Sequence, residues 1–211
     1  MKQTQTAGTY KWEELSKEAQ EYAISQERSK RIQRATAAYF KPLLLKAIEA
    51  WKNKAGFTVK IDNILYDISG APGTGVSFTS DDIDVIKTLE LAEKLFPQSK
   101  GVINYIKENE YFNFVTNYYK FTIERDYDHS SWYAVSCKFE NTNEELFFDE
   151  DTEMEALDEA EDIESFVDMV KNYLCEELLT KLSNMFFDSI STESIIESLK
   201  EKTFTNYGKK L

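Results

Sequence analysis

Between residues 140 and 168 the chain carries 14 acidic side chains and no lysine or arginine. Crowded like charges repel one another, so a segment that keeps them needs a reason. The same region also holds an apolar pattern. Leu157, Ala160, Ile163, Phe166, Val167, Val170, Leu174, Leu178 and Leu182 keep helical spacing within residues 154–185. That spacing predicts a long acidic C-terminal helix. Eleven of the twenty residues 149–168 are acidic. At about 1.5 Å per residue they cover roughly 30 Å of helix, or about one charge per 3 Å. A DNA strand presents one charge about every 3.4 Å.

Two readings fit this run. One is a solvated face, or a flexible acidic loop tethering two packed elements. The other is a docking surface that imitates the phosphate backbone for a basic, nucleic-acid-binding groove. The candidate partner-binding residues are Asp149, Glu150, Asp151, Glu153, Glu155, Asp158, Glu159, Glu161, Asp162 and Glu164, taken as a group. Outside residues 140–168 the chain has 24 acidic and 25 basic residues, so the whole excess behind its net charge of −13 lies in this segment. Residues 1–60 lean the other way, with 12 basic against 6 acidic. Arg28, Lys30, Arg31, Arg34 and Lys41 give that part a basic face. The overall charge makes direct nucleic-acid binding secondary and favours a basic partner.

A length of 211 residues suits a single α+β domain over residues 1–211, with the first eight frayed. Apolar residues at 42% and aromatics at 14% argue against disorder and against a coiled coil. No apolar run approaches the ~18 residues of a membrane span. The start, MKQTQTAGTY, has no signal-peptide core. Cys137 and Cys175 lie far apart without a CxxC partner and read as reduced thiols of a cytoplasmic protein.

In chain order, Ser16 caps a helix from Lys17, and Trp12 packs beside it. A second, basic helix spans about residues 29–54, with Pro42 marking a kink or a join near Phe40. Gly56 ends it. Residues 61–68 read as a buried strand, and Val76 and Phe78 as the start of the next. A helix follows Asp81, Asp82 and Asp84 and stops at Pro97; a shorter one covers residues 102–109. Residues 112–125 and 131–141 read as a hairpin with residues 126–130 as its turn. After the acidic helix, residues 191–193 cap a short helix over 194–201, and a strand and turn close the chain. The expected fold is a small antiparallel sheet of about four strands packed with five or six helices.

The loop between residues 61 and 80 has the partial spacing of a phosphate-binding motif: Gly70, four residues, Gly75, Val76, Ser77. Val76 stands where the lysine belongs, and the flank reads as strand where a helix is required. Gly70, Gly73, Thr74, Gly75 and Ser77 are therefore a candidate ligand loop set against a simple glycine-rich connection. His129 is the only histidine and falls in the polar hairpin turn, which argues for a solvated side chain and against a catalytic base. Asp149, Asp151 and Glu153 imitate the start of a calcium loop, but Met154 and Ala160 occupy its glycine and bidentate-glutamate positions. Catalytic residues, metal sites and cofactors are thus not expected.

Three segments carry a resemblance. Trp12-Glu-Glu-Leu-Ser-Lys-Glu-Ala-Gln-Glu-Tyr-Ala resembles the opening F-x-E-L-S-x-E-A-K-x-x-A of a family of uncharacterised bacteriophage and prophage proteins. Ser69-Gly-Ala-Pro-Gly-Thr-Gly-Val-Ser-Phe is similar to that family's S-G-x-x-x-Q-G-D-G-x-S-F loop, with Thr74 in the aspartate's place. Ile190-Ser-Thr-Glu-Ser-Ile-Ile-Glu-Ser-Leu-Lys-Glu-Lys-Thr-Phe-Thr-Asn-Tyr-Gly is similar to its S-D-E-A-I-I-E-x-L-x-x-N-x-Y-x-F-T-x-x-G ending. The resemblance implies a phage origin, and hence work in the host cell cytoplasm; some members are labelled antitoxins. Together with the charge map it gives the expected function. The chain is read as an anti-defence inhibitor, of anti-CRISPR or anti-restriction type, that blocks a host nuclease or other host enzyme with a basic surface. An antitoxin, or a nucleotide or small-ligand module built on the glycine loop, is the alternative. A homo-oligomer is left open.

Overall fold

The computed structural model describes residues 8–35, 37–68, 74–125, 135–143 and 150–211. It divides into two compact units, Met1–Lys41 with Leu182–Leu211, and Pro42–Lys181.

In the first unit the two ends of the chain build one core. Strand β1 (Tyr10–Lys11) pairs antiparallel with β6 (Thr203–Phe204), Tyr10 opposite Phe204. Helix α1 (Lys17–Arg34) starts as expected, with Ser16 Oγ accepting the Ala19 amide at 3.2 Å. Trp12, Leu15, Ala19 and Ala23 pack with Ile195, Leu199 and Phe204. The C-terminal three of these come from β6 and from helix α7 (Thr192–Leu199), capped by Ser191. Two of the three motif-bearing segments, residues 12–23 and 190–208, thus meet in one cluster. The closing turn needs Gly208, whose φ is +77°: a Cβ there would clash with the Ala19 carbonyl oxygen.

In the second unit, helix α2 (Ala37–Lys54, most of it here) ends at Gly56, φ +75°, where a Cβ would stand 2.5 Å from Asp84 Cβ. Strands β2 (Ile64–Asp67) and β3 (Gly75–Phe78) form one ladder, Ile64 opposite Phe78. Strands β4 (Tyr119–Arg125) and β5 (Val135–Asn141) form another, Ile123 opposite Cys137. Trp51 stacks on Phe78 at 4.5 Å, with Phe57 against the same ring at 5.7 Å. Helices α3 (Val85–Leu95), α4 (Lys100–Glu108) and α5 (Phe112–Tyr118) lie between the ladders in sequence. Helix α6 (Glu150–Ile190) is 41 residues long, about 60 Å, and its first 32 residues belong to this unit.

The α+β class and the long C-terminal helix stand as expected. Four details differ. The expected single sheet of about four strands is, among the described residues, three two-stranded ladders. Among the described residues, one isolated bridge, Ser80 with Ile123, joins the stretch after β3 to β4. Residues 112–118 are helix, not strand. Asn109 Oδ1 accepts the Tyr111 amide at 2.9 Å to turn the chain, and Phe112 and Val115 then bury one helical face. Burial thereby overrides the β-leaning composition. Helix α1 ends at Arg34 with Ala35 as its cap, and Pro42 lies inside α2, which begins at Ala37. Seven α-helices are present among the described residues, against five or six expected. The hairpin turn with His129, and residues 1–7, lie outside the described residues.

Candidate functional site

The first half of α6 is built from a buried seam and a collar of carboxylates. Ala156, Ala160, Ile163, Val167 and Val170 are fully buried along one line of the helix. The acids fall on both flanks and the outer side. Glu153, Glu155, Asp158, Glu161 and Asp162 are exposed, and Glu164 is half-buried. Glu150 and Asp151 are the first two residues of the helix. Asp149 lies outside the described residues. Among the described residues, none of Glu153, Glu155, Asp158, Glu159, Glu161, Asp162 and Glu164 forms an ion pair.

Spacing of three and four places Glu155, Asp158, Glu159 and Asp162 on one flank. They line one side of an open groove of about 820 Å³. The other side comes from the end of α4 and the turn after it: Tyr105, Glu108, Asn109, Glu110 and Tyr111. Six carboxylates and no basic residue line this groove, and Tyr105 is 68% exposed. Glu159 is the exception to the solvated collar. It is only 3% exposed, and its Oε1 has no hydrogen-bond partner. Burial, reinforced by the Asp162 charge, pushes its carboxyl up to about 7.

On the opposite flank the negative charge is partly used within the fold. Asp168 Oδ1 accepts from the buried Lys171 Nζ at 2.6 Å and from the Cys137 amide at 3.1 Å. Lys171 Nζ also donates to the Val135 carbonyl at 2.7 Å. This fastens β5 to α6. Glu164 beside it is held above the ordinary carboxylate range by burial and by Asp168, against Lys138 and Lys171. Burial raises the Cys137 thiol far above its usual range and the half-buried Cys175 to about 12, which keeps both in the protonated, less reactive form.

The other sequence candidates fare differently. Gly70 and Gly73 lie outside the described residues. Thr74 is exposed, Gly75 opens β3, and Ser77 is buried within that strand at 2% exposure, so the element after the glycines is a ladder and not a helix. Of the basic face, Arg28 donates to the Ile190 carbonyl and to Thr192, and Arg31 to the Ser189 carbonyl, Ser194 and Ser198. These two guanidiniums hold the end of α6 and the start of α7. No helix among the described residues is long and apolar enough to cross a membrane, and no three acidic, His or Cys side chains there converge to hold a metal ion. Sequence reasoning missed Tyr105, Glu108 and Glu110. Nothing in their local pattern sets them apart; only the packing of the second unit brings them beside α6.

No family model, no curated protein and no solved structure matches the chain.

Proposed function

We propose that this chain is an acidic, non-catalytic binding protein of phage origin. It inhibits a host defence nuclease, or another host enzyme, by occupying a basic nucleic-acid-binding surface in the host cytoplasm. The observation that carries the reading is the carboxylate collar: the acids of residues 153–164 ride on folded helix, and among the described residues none of them forms an ion pair with a lysine or arginine. A charge density near that of a DNA strand, fixed on one rigid element, is what such a surface recognises. The resemblance of residues 12–23 and 190–208 to phage and prophage proteins supports the origin.

The test uses the full chain as bait in host lysate at low salt. The expected result is retention of a nucleic-acid-binding protein that duplex DNA displaces from the bait. The double variant Asp158→Lys with Asp162→Lys retains none. A bait that captures no such protein, or a captured protein indifferent to DNA and to the charge reversal, refutes the proposal.

A further inference from the structure

Most of the collar is solvated, and solvated acids act together as a field that steers and attracts a basic surface, without selecting one side chain of it. Glu159 is different. A carboxylate that is 97% buried and has an orphan oxygen is an acceptor without a donor, which folded proteins rarely tolerate without a purpose. It lines the groove in which Tyr105 exposes 68% of its surface. We propose that this groove is an arginine pocket, which takes one guanidinium of the docked protein between the Tyr105 ring and the Glu159 carboxylate. The inference rests on the docking reading above and names the side chain that the docking surface recognises.

The chemistry selects arginine. A guanidinium offers a planar fork of donors for a carboxylate, is more weakly hydrated than an ammonium, and stacks on an aromatic face. A metal ion does not suit the site, since no three of the acids there converge to hold one. The titratable groups that line the groove with Glu159 are all acidic or phenolic: Glu155, Asp158 and Asp162 on its own helix, and Tyr105, Glu108, Glu110 and Tyr111 on the other side, where Asn109 is the one neutral amide. A bound guanidinium favours the ionised form of Glu159. Because that carboxyl otherwise titrates near 7, binding releases a proton and tightens as pH rises through neutrality.

The probe is the blocked tripeptide acetyl-Gly-Arg-Gly-amide, titrated into the full chain and followed by amide NMR shifts. Its citrulline and lysine counterparts serve as controls. The arginine peptide is expected to move the resonances of Tyr105 and Glu159, and to bind about tenfold tighter at pH 8 than at pH 6. The citrulline peptide binds at least tenfold more weakly, and the lysine peptide at least threefold. Glu159→Gln removes the pH dependence and weakens binding at pH 8 at least fivefold. Tyr105→Ala, a surface change, weakens it about threefold. Shifts spread evenly along α6, equal binding of the three peptides, or an unchanged pH dependence in Glu159→Gln overturns the pocket. Capture of a DNA-displaceable partner that survives Glu159→Gln and Tyr105→Ala but not the Asp158/Asp162 reversal also overturns it, while the docking reading stands. Peptide binding in the groove without any DNA-displaceable partner refutes the docking reading instead.

Discussion

Replacing Glu159 by glutamine should make the protein more stable, in a way that depends on pH. The native carboxyl is buried beside Asp162 and titrates at about 7, against 4.5 for an unhindered glutamate. The folded state therefore holds the proton more tightly than the unfolded state. Stability from this group is fully present below about pH 4.5 and is lost as pH rises to about 7. The pKa difference corresponds to at most about 3 kcal/mol. Glutamine is isosteric with the protonated acid and cannot ionise. The variant and the wild type should then have nearly equal stability at pH 4.5. The gap should open to about 2–3 kcal/mol by pH 7.5 and stay constant above that. For a chain of this length it corresponds to roughly 5–10 °C in Tm at pH 8. Urea titrations of both proteins at half-unit pH steps measure it directly. A gap that does not change with pH, or a variant less stable than wild type at pH 8, refutes the assignment of Glu159 as a buried, unpartnered carboxyl.

Three further outcomes are expected. Lys171→Met removes the Nζ donor from the Val135 carbonyl and leaves Asp168 with the Cys137 amide alone, so it should cost about 1–3 kcal/mol in chemical denaturation and speed amide exchange at Cys137. Gly208→Ala forces a Cβ onto the Ala19 carbonyl at positive φ and should destabilise the protein by about 2 kcal/mol or more in the same assay. Both thiols should react with a disulfide reagent at pH 8 only after denaturant is added, because burial raises Cys137 and Cys175 alike; fast labelling of the native protein contradicts this.

Where a signal was local, the sequence carried it. Ser16 and Ser191 announced their helices because a cap is a contact between neighbours in the chain. The seam under the acids announced α6 because its spacing repeats every three or four residues. Residues 112–118 misled because aromatic and β-branched side chains suit a strand until Phe112 and Val115 are buried along one helical face. The sheet misled because strand count says nothing about whether β3 and β4 share more than the Ser80–Ile123 bridge. The candidate site divides along the same line. The carboxylates of α6 were legible as composition. The groove was not, since Tyr105, Glu108 and Glu110 lie some fifty residues earlier in the chain and reach Glu159 only through the fold. The burial that sets Glu159 apart from Asp158 and Asp162 likewise comes from neighbours distant in sequence.

The central claim is that the α6 collar stands in for a nucleic-acid backbone, and competition measures it most directly. The affinity of the captured host protein is determined for this chain and for duplex DNA across 50–300 mM salt. The account predicts mutually exclusive binding, an affinity that falls steeply with salt for both ligands, and a shallower salt slope for the Asp158/Asp162 reversal. Simultaneous binding of chain and DNA, or an affinity that salt leaves unchanged, contradicts it.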